Sequence, residues 1–333
     1  MRLGLGVKSD PIEYRFSFEW FFDLLQKCGI TNVQLGTFTE IYFLPDQYFL
    51  DLRENAAKRG IRISSCFTSH RELGGFFTGN FHMEVVSRRN FERLIQIGAL
   101  VGADYVGSNA GSVYREAPET KSLGIERYLL NVRELMVLAK QVGLKGLTLE
   151  PMSSIAEPPS LPEEIDYIMS ELGDHHRRNR ATTIPVYLCG DIAHGVADRE
   201  GNVVHNNKDL FVHCIPYMSE FHFKNTDTVF NSTFGFVPRS FREKSFDPSF
   251  NEGQAAAGTS DRTDTRVDEI PPVGVVDLEN LKLLIQKHDD LWPVEEVIGY
   301  LEIPGPKHGR DYSDYLLEVE LRESLEALKE VFS

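Results

Sequence analysis

One beat recurs along this chain and limits its fold more than any other feature: a helical stretch closes on a glycine, and a short apolar strand follows at once. Cys28-Gly29-Ile30 leads into Asn32-Val33-Gln34-Leu35, and Arg59-Gly60-Ile61 into Arg62-Ile63-Ser64-Ser65-Cys66-Phe67. Val101-Gly102-Ala103 leads into Asp104-Tyr105-Val106-Gly107, and Val142-Gly143-Leu144 into Gly146-Leu147-Thr148-Leu149. Glycine just past a helix takes the left-handed conformation that ends it, so the next strand can begin immediately. Alternation of this kind predicts βα units and parallel strands. Eight strands are expected: Arg2–Val7, Thr31–Leu35, Ile61–Phe67, Asp104–Ser108, Leu144–Glu150, Ile184–Asp191, Glu220–Lys224 and Val297–Ile303. Each is short, apolar and bounded by turn residues, as buried parallel strands are.

Eight such units predict an α/β fold, a (β/α)8 TIM barrel, with residues 1–333 as one domain; an open doubly wound sheet is the alternative. Gly4-Leu5-Gly6 is no dinucleotide fingerprint, because Ser9 stands where the third glycine would be. The intervening segments are amphipathic. Tyr128, Val132, Leu135 and Ala139 share one helical face, as do Leu317, Leu321, Leu325, Leu328 and Phe332 near the C-terminus. Glu318, Glu320, Glu323 and Glu326 are expected to form the solvated face of that last helix. One stretch breaks the beat: residues 226–276, aromatic at the start and polar in the middle, read as a long insertion after strand 7. A lid or subunit contact is expected there.

The formal net charge of −15 argues against a nucleic-acid partner, which would call for a basic face. No run of ~20 apolar residues exists to span a membrane, and residues 1–10 do not read as a signal peptide. The four cysteines form no C-x-x-C pair and read as reduced thiols, so a cytoplasmic location is expected.

Chemistry in such a barrel sits where the strands end. Strand 5 ends in Leu149-Glu150-Pro151, strand 6 in Gly190-Asp191 with His194 three residues on, strand 7 carries His222 and Lys224, and strand 8 ends in Leu301-Glu302. Converging carboxylates repel one another unless a cation joins them. Glu150, Asp191, His222 and Glu302 therefore form a candidate ligand set for one divalent ion, Mn²⁺ before Mg²⁺ or Co²⁺. His70, Asn109, His194, Lys224 and Lys307 are candidate substrate contacts, Lys307 as part of a basic cluster with His308 and Arg310 after strand 8.

Leu149-Glu150-Pro151, Asp191-x-x-His194, His222-x-Lys224 and Leu301-Glu302 together resemble the xylose-isomerase-like sugar phosphate isomerase/epimerase superfamily. The resemblance implies that Glu150, Asp191, His222 and Glu302 hold one metal ion, and that Glu150 and Glu302 act as the acid/base pair of an epimerase. The substrate would be a small keto-sugar or its phosphate, and the protein a homo-oligomer. Gly6-Val7-Lys8-Ser9-Asp10, Asn225-Thr226-Asp227 and Gly309-Arg310-Asp311-Tyr312-Ser313-Asp314 look most like the tetrulose-phosphate epimerases. Glu157 stands seven residues after Glu150, where free-ketose 3-epimerases carry a glutamate at six. The same site could serve an aldose–ketose isomerase or an inosose-type dehydratase. An apurinic endonuclease or a non-catalytic sugar-binding barrel are the readings from other classes.

Overall fold

The computed structural model of the chain describes residues 1–12, 16–36, 43–68, 73–198, 200–230, 233–236, 274–303 and 314–332. Eight parallel strands close into a barrel: β1 (Arg2–Lys8), β2 (Asn32–Gly36), β3 (Arg62–Thr68), β4 (Tyr105–Asn109), β5 (Gly146–Glu150), β6 (Val186–Asp191), β9 (Met218–Phe223) and β10 (Glu296–Leu301). β1 pairs with β10 over six residues, from Arg2 opposite Glu296 to Val7 opposite Leu301, and this pairing closes the ring. The expected strands match these to within two residues at each end. The structure adds a short antiparallel hairpin after β6, made of β7 (Val196–Ala197) and β8 (Val203–His205), which the apolar pattern does not announce.

The helices on the outside are α1 (Phe18–Lys27), α2 (Asp46–Ala57), α3 (Phe81–Val101), α4 (Lys121–Gln141), α5 (Pro162–Arg178), α6 (Asn207–Cys214), α7 (Leu278–Lys287) and α8 (Asp314–Phe332). Gly29, Gly60, Gly102 and Gly143, the four glycines of the beat, all adopt positive φ between 69° and 88°. Only glycine does so without steric cost, which is why each helix stops there. Tyr128, Val132, Leu135 and Ala139 of α4 are buried, as are Leu317, Leu321, Leu325 and Leu328 of α8. Glu320 departs from the expected solvated face of α8. It is buried, one helical turn before the fully buried Ser324, whose Oγ accepts the Phe236 N–H at 2.9 Å. The segment that leads out of the insertion's first part covers this side of α8, a contact that helical periodicity cannot reveal.

Along β9 the side chains alternate as the pleat requires. Phe221 packs outward against Phe211 and Trp292, and Phe223 against Phe332. Glu220 and His222 face the barrel interior. The two ends of the insertion are pinned at the mouth: Asn225 and Phe234 exchange backbone bonds of 2.8 and 3.1 Å, and Val275 N donates to Thr226 O at 3.0 Å. Residues 237–273, the polar middle of the expected lid, lie outside the described residues. No described helix is long and apolar enough to cross a membrane. Cys28, Cys66, Cys189 and Cys214 are free thiols.

Candidate metal and active site

Glu150 is the last residue of β5 and Asp191 the last of β6; His222 is the penultimate residue of β9, and Glu302 follows β10 directly. Barrel closure brings one ligand atom from each to within 4.8 Å of all the others. Glu150, Asp191 and His222 are buried. Carboxylates this close would drive one another to protonate, and two lysines oppose that. Lys8, at the end of β1, puts Nζ 2.6 Å from Glu302 Oε1 and 3.0 Å from Asp10 Oδ2. Lys224 puts Nζ 2.5 Å from Asp191 Oδ2, 3.0 Å from Glu302 Oε2 and 3.0 Å from His194 Nε2. His194 Nδ1 donates in turn to the Pro151 carbonyl at 2.7 Å, which leaves Nε2 to accept from Lys224.

The two glutamates are in opposite electrostatic states. Burial pushes Glu150 above the usual carboxyl range, and the neighbouring Glu302 pushes it further, against the pull of His194 and Lys224. Burial acts on Glu302 in the same direction, but Lys224 and Lys8 together outweigh it and hold the carboxyl well below that range. Burial lowers His222 to about 4 despite nearby carboxylates, so its imidazole is neutral at neutral pH and keeps a lone pair.

The donor set fits a divalent ion. One Asp191 oxygen accepts the Ala193 N–H at 2.8 Å. The other, Oδ2, is ion-paired to Lys224 without a hydrogen bond of good geometry, so it retains lone-pair capacity. Three carboxylates and one neutral imidazole suit a hard or borderline cation rather than a thiolate-seeking one.

Of the candidate substrate contacts, His194 and Lys224 adjoin this cluster. Asn109 pairs with Glu150 across the β4–β5 register; it is buried, and its Oδ1 has no hydrogen-bond partner. His70 and Lys307 lie outside the described residues. A cavity of about 840 Å³ opens among the loops that follow β4, β5, β6 and β9. Met152, Ser153, Glu157, Ala197 and Phe230 line it, and the Ser153 hydroxyl is buried without a partner. Phe230 has a φ of 61°, and its ring lies where a Cβ on Gly195 would come within 2.5 Å, so glycine alone lets the ring close that wall.

Lys8, Gln34, Phe67 and Glu220 were not singled out from the sequence as site residues. Lys8 obeys the same strand-end rule that picks out Glu150. Phe67 presents its ring edge-on to His222 at 5.3 Å, with Lys8 Nζ 5.2 Å from the ring centroid. Gln34 and Glu220 are polar residues inside apolar strands, a signal that gains meaning only when the interior partner is known. Glu220 is fully buried; its Oε1 accepts from Thr148 at 2.8 Å and Ser65 at 3.1 Å, and Oε2 has no partner. Burial raises it to about 7, against those hydrogen bonds. A carboxyl raised in the folded state stabilises below its unfolded value and loses that contribution as pH rises through the folded one. The metal-free protein should therefore lose stability between its ordinary value of 4.5 and about 7. Glu220→Gln should be more stable than the parent at alkaline pH, by up to ~3 kcal/mol, with the gap closing in acid. Urea unfolding across pH checks this; a gap independent of pH would refute it.

No family model matches the chain, and no curated protein does. Solved structures do. A Rhodospirillum rubrum protein, provisionally described as a xylose isomerase, superposes with a TM-score of 0.74 at 18% identity, covering 99% of both chains. The likeness is one of fold: this chain and that protein share the barrel architecture. D-psicose 3-epimerase from Clostridium cellulolyticum, solved with D-tagatose, matches with a TM-score of 0.67 at 12% identity over 99% of each chain. A 3-keto-D-glucoside 4-epimerase from E. coli matches at 0.58 and 12%, over 99% of this chain and 100% of its own.

Proposed function

We propose that the chain is a metal-dependent epimerase that inverts the carbon next to the ketone of a small keto-sugar or keto-sugar phosphate. The observation that carries this reading is the pair Glu150 and Glu302, which share one buried cluster in opposite proton affinities. Two of the structural neighbours are named as sugar epimerases, which supports the same class. Mn²⁺ suits the ligand set of three carboxylates and one imidazole. When bound, such an ion supplies Lewis-acid stabilisation of the charge that develops on the ketone oxygen.

The chain's own residues do the rest. Inversion needs one group to remove the α proton and another to return one on the opposite face. Glu302, kept ionised by Lys8 and Lys224, takes the proton and leaves an enediolate. Glu150, whose burial favours the protonated form, delivers one from the other side. β6 and β9 separate β5 from β10 around the ring, so the two carboxyls enter the mouth from different directions. Lys224 and His194 orient substrate oxygens. Phe230 and Met152 wall off water, which protects the enediolate from side reactions.

The test is incubation of Mn²⁺-loaded protein in D₂O with a panel of ketoses and their phosphates, followed by proton NMR. Loss of the α C–H signal together with a new epimer is the expected result. Exchange with an aldose appearing would make the chain an isomerase. Loss of water from the substrate would make it a dehydratase. No exchange by folded, metal-loaded protein with any substrate would overturn the proton-transfer reading.

A further inference from the structure

We infer that Gln34, on β2, is a positioning residue: it fixes which nitrogen of His222 carries the proton, through a buried relay that ends on Glu220. The inference rests on His222 being a metal ligand, and it concerns a residue outside the candidate ligand set.

The direction of each hydrogen bond follows from what each group can give. Once ionised, above about pH 7, Glu220 accepts only, and a serine hydroxyl has one proton. Ser65 Oγ donates that proton to Glu220 Oε1 at 3.1 Å, beside Thr148, which donates to the same oxygen at 2.8 Å. Ser65 can then only accept from Gln34, so the amide nitrogen of Gln34 faces Ser65, at 3.4 Å. The amide oxygen consequently faces His222 Nε2, at 2.8 Å. Two acceptors cannot face each other at that distance, so Nε2 bears the hydrogen. With the proton placed on Nε2, Nδ1 is the nitrogen through which His222 can act as a ligand. Gln34, Ser65, Glu220 and His222 are all fully buried, so water cannot substitute for any link.

The consequence lies on the other side of the ring. Nδ1 is 3.0 Å from Glu150 Oε1, 3.6 Å from Glu302 Oε2 and 3.9 Å from Asp191 Oδ2. An imidazole surrounded by carboxylates on that side would by itself protonate Nδ1 and donate to Glu150. The relay overrides this preference and leaves the Nδ1 lone pair either to accept from a protonated Glu150 or to bind a cation held together with Asp191 and Glu302. A second partner that orients a ligand imidazole typically changes metal affinity by roughly 10–100-fold.

The experiment is long-range ¹H–¹⁵N NMR of the histidine side chains in metal-free protein in mildly alkaline buffer, where Glu220 is ionised, with Mn²⁺ affinity measured by calorimetry. Wild-type His222 is expected as the Nε2–H tautomer. In Gln34→Met it should move to Nδ1–H, with Mn²⁺ binding weaker by roughly 10–100-fold. Ser65→Ala should shift both readouts in the same direction by less. A wild-type His222 protonated on Nδ1 overturns the inference without recourse to any variant. A Gln34→Met protein that keeps the Nε2–H tautomer and binds Mn²⁺ within about threefold of wild type overturns it too. Wild-type protein that shows Nε2–H but binds no Mn²⁺ supports the tautomer and overturns the metal reading it serves.

Discussion

Glu302→Gln is expected to lower turnover roughly 10²–10⁴-fold, the usual contribution of a positioned general base, while the barrel stays folded. The substitution keeps the side chain's volume and one oxygen for Lys8 or Lys224 but removes the charge that both lysines neutralise. The α proton then has no acceptor on that face. Glu150→Gln should fall by a similar factor for a different reason: the opposite face loses its proton donor. The two defects separate in D₂O, since a substrate that loses its α C–H signal without inverting still has its base and lacks only the second group. Turnover should be measured at matched Mn²⁺ occupancy, because both residues are also candidate ligands. A metal-loaded variant that retains more than about a tenth of wild-type turnover would sink the acid/base assignment.

Lys224→Met is the second large effect, and it is read as stability rather than rate. Lys224 is buried, and its Nζ lies 2.5 Å from Asp191 and 3.0 Å from Glu302. Burial would lower its proton affinity, but Asp191 and Glu302 outweigh that and raise it well above the ordinary lysine value. The ammonium is thus charged at any working pH. Removing one partner of a buried ion pair leaves an uncompensated charge and typically costs about 3–5 kcal/mol. The metal-free variant should lose about that much in alkaline solution. The loss should shrink in acid, because protonation of Glu302 removes a charge that Lys224 balances. Mn²⁺ should restore more stability to this variant than it adds to wild type, because the ion supplies the missing positive charge. Urea unfolding with and without Mn²⁺ measures all three; a loss of under about 1 kcal/mol in metal-free protein would show that Lys224 is not what balances the carboxylates.

Gly29, Gly60, Gly102 and Gly143 made the fold legible, because a left-handed cap is a local property and local properties are written in adjacent residues. The same locality exposed Glu150, Asp191, His222 and Glu302: each follows a short apolar run at a strand end, and a closed barrel gathers strand ends at one mouth. The register of β7 with β8 was not legible, since a two-residue strand carries no periodic signal. Nor was the burial of Glu320, which depends on a segment 84 positions away, at Phe236, bonding to Ser324 on the same helix.

The sequence by itself determined the eight-unit barrel and which four side chains stand where such barrels do chemistry. The tertiary structure decided how those side chains are charged. Lys8 reaches Glu302 across 294 positions, and Gln34 reaches His222 across 188. Proton affinity and tautomer depend on burial and on the partners within about 4 Å, and only closure of the ring brings those partners together.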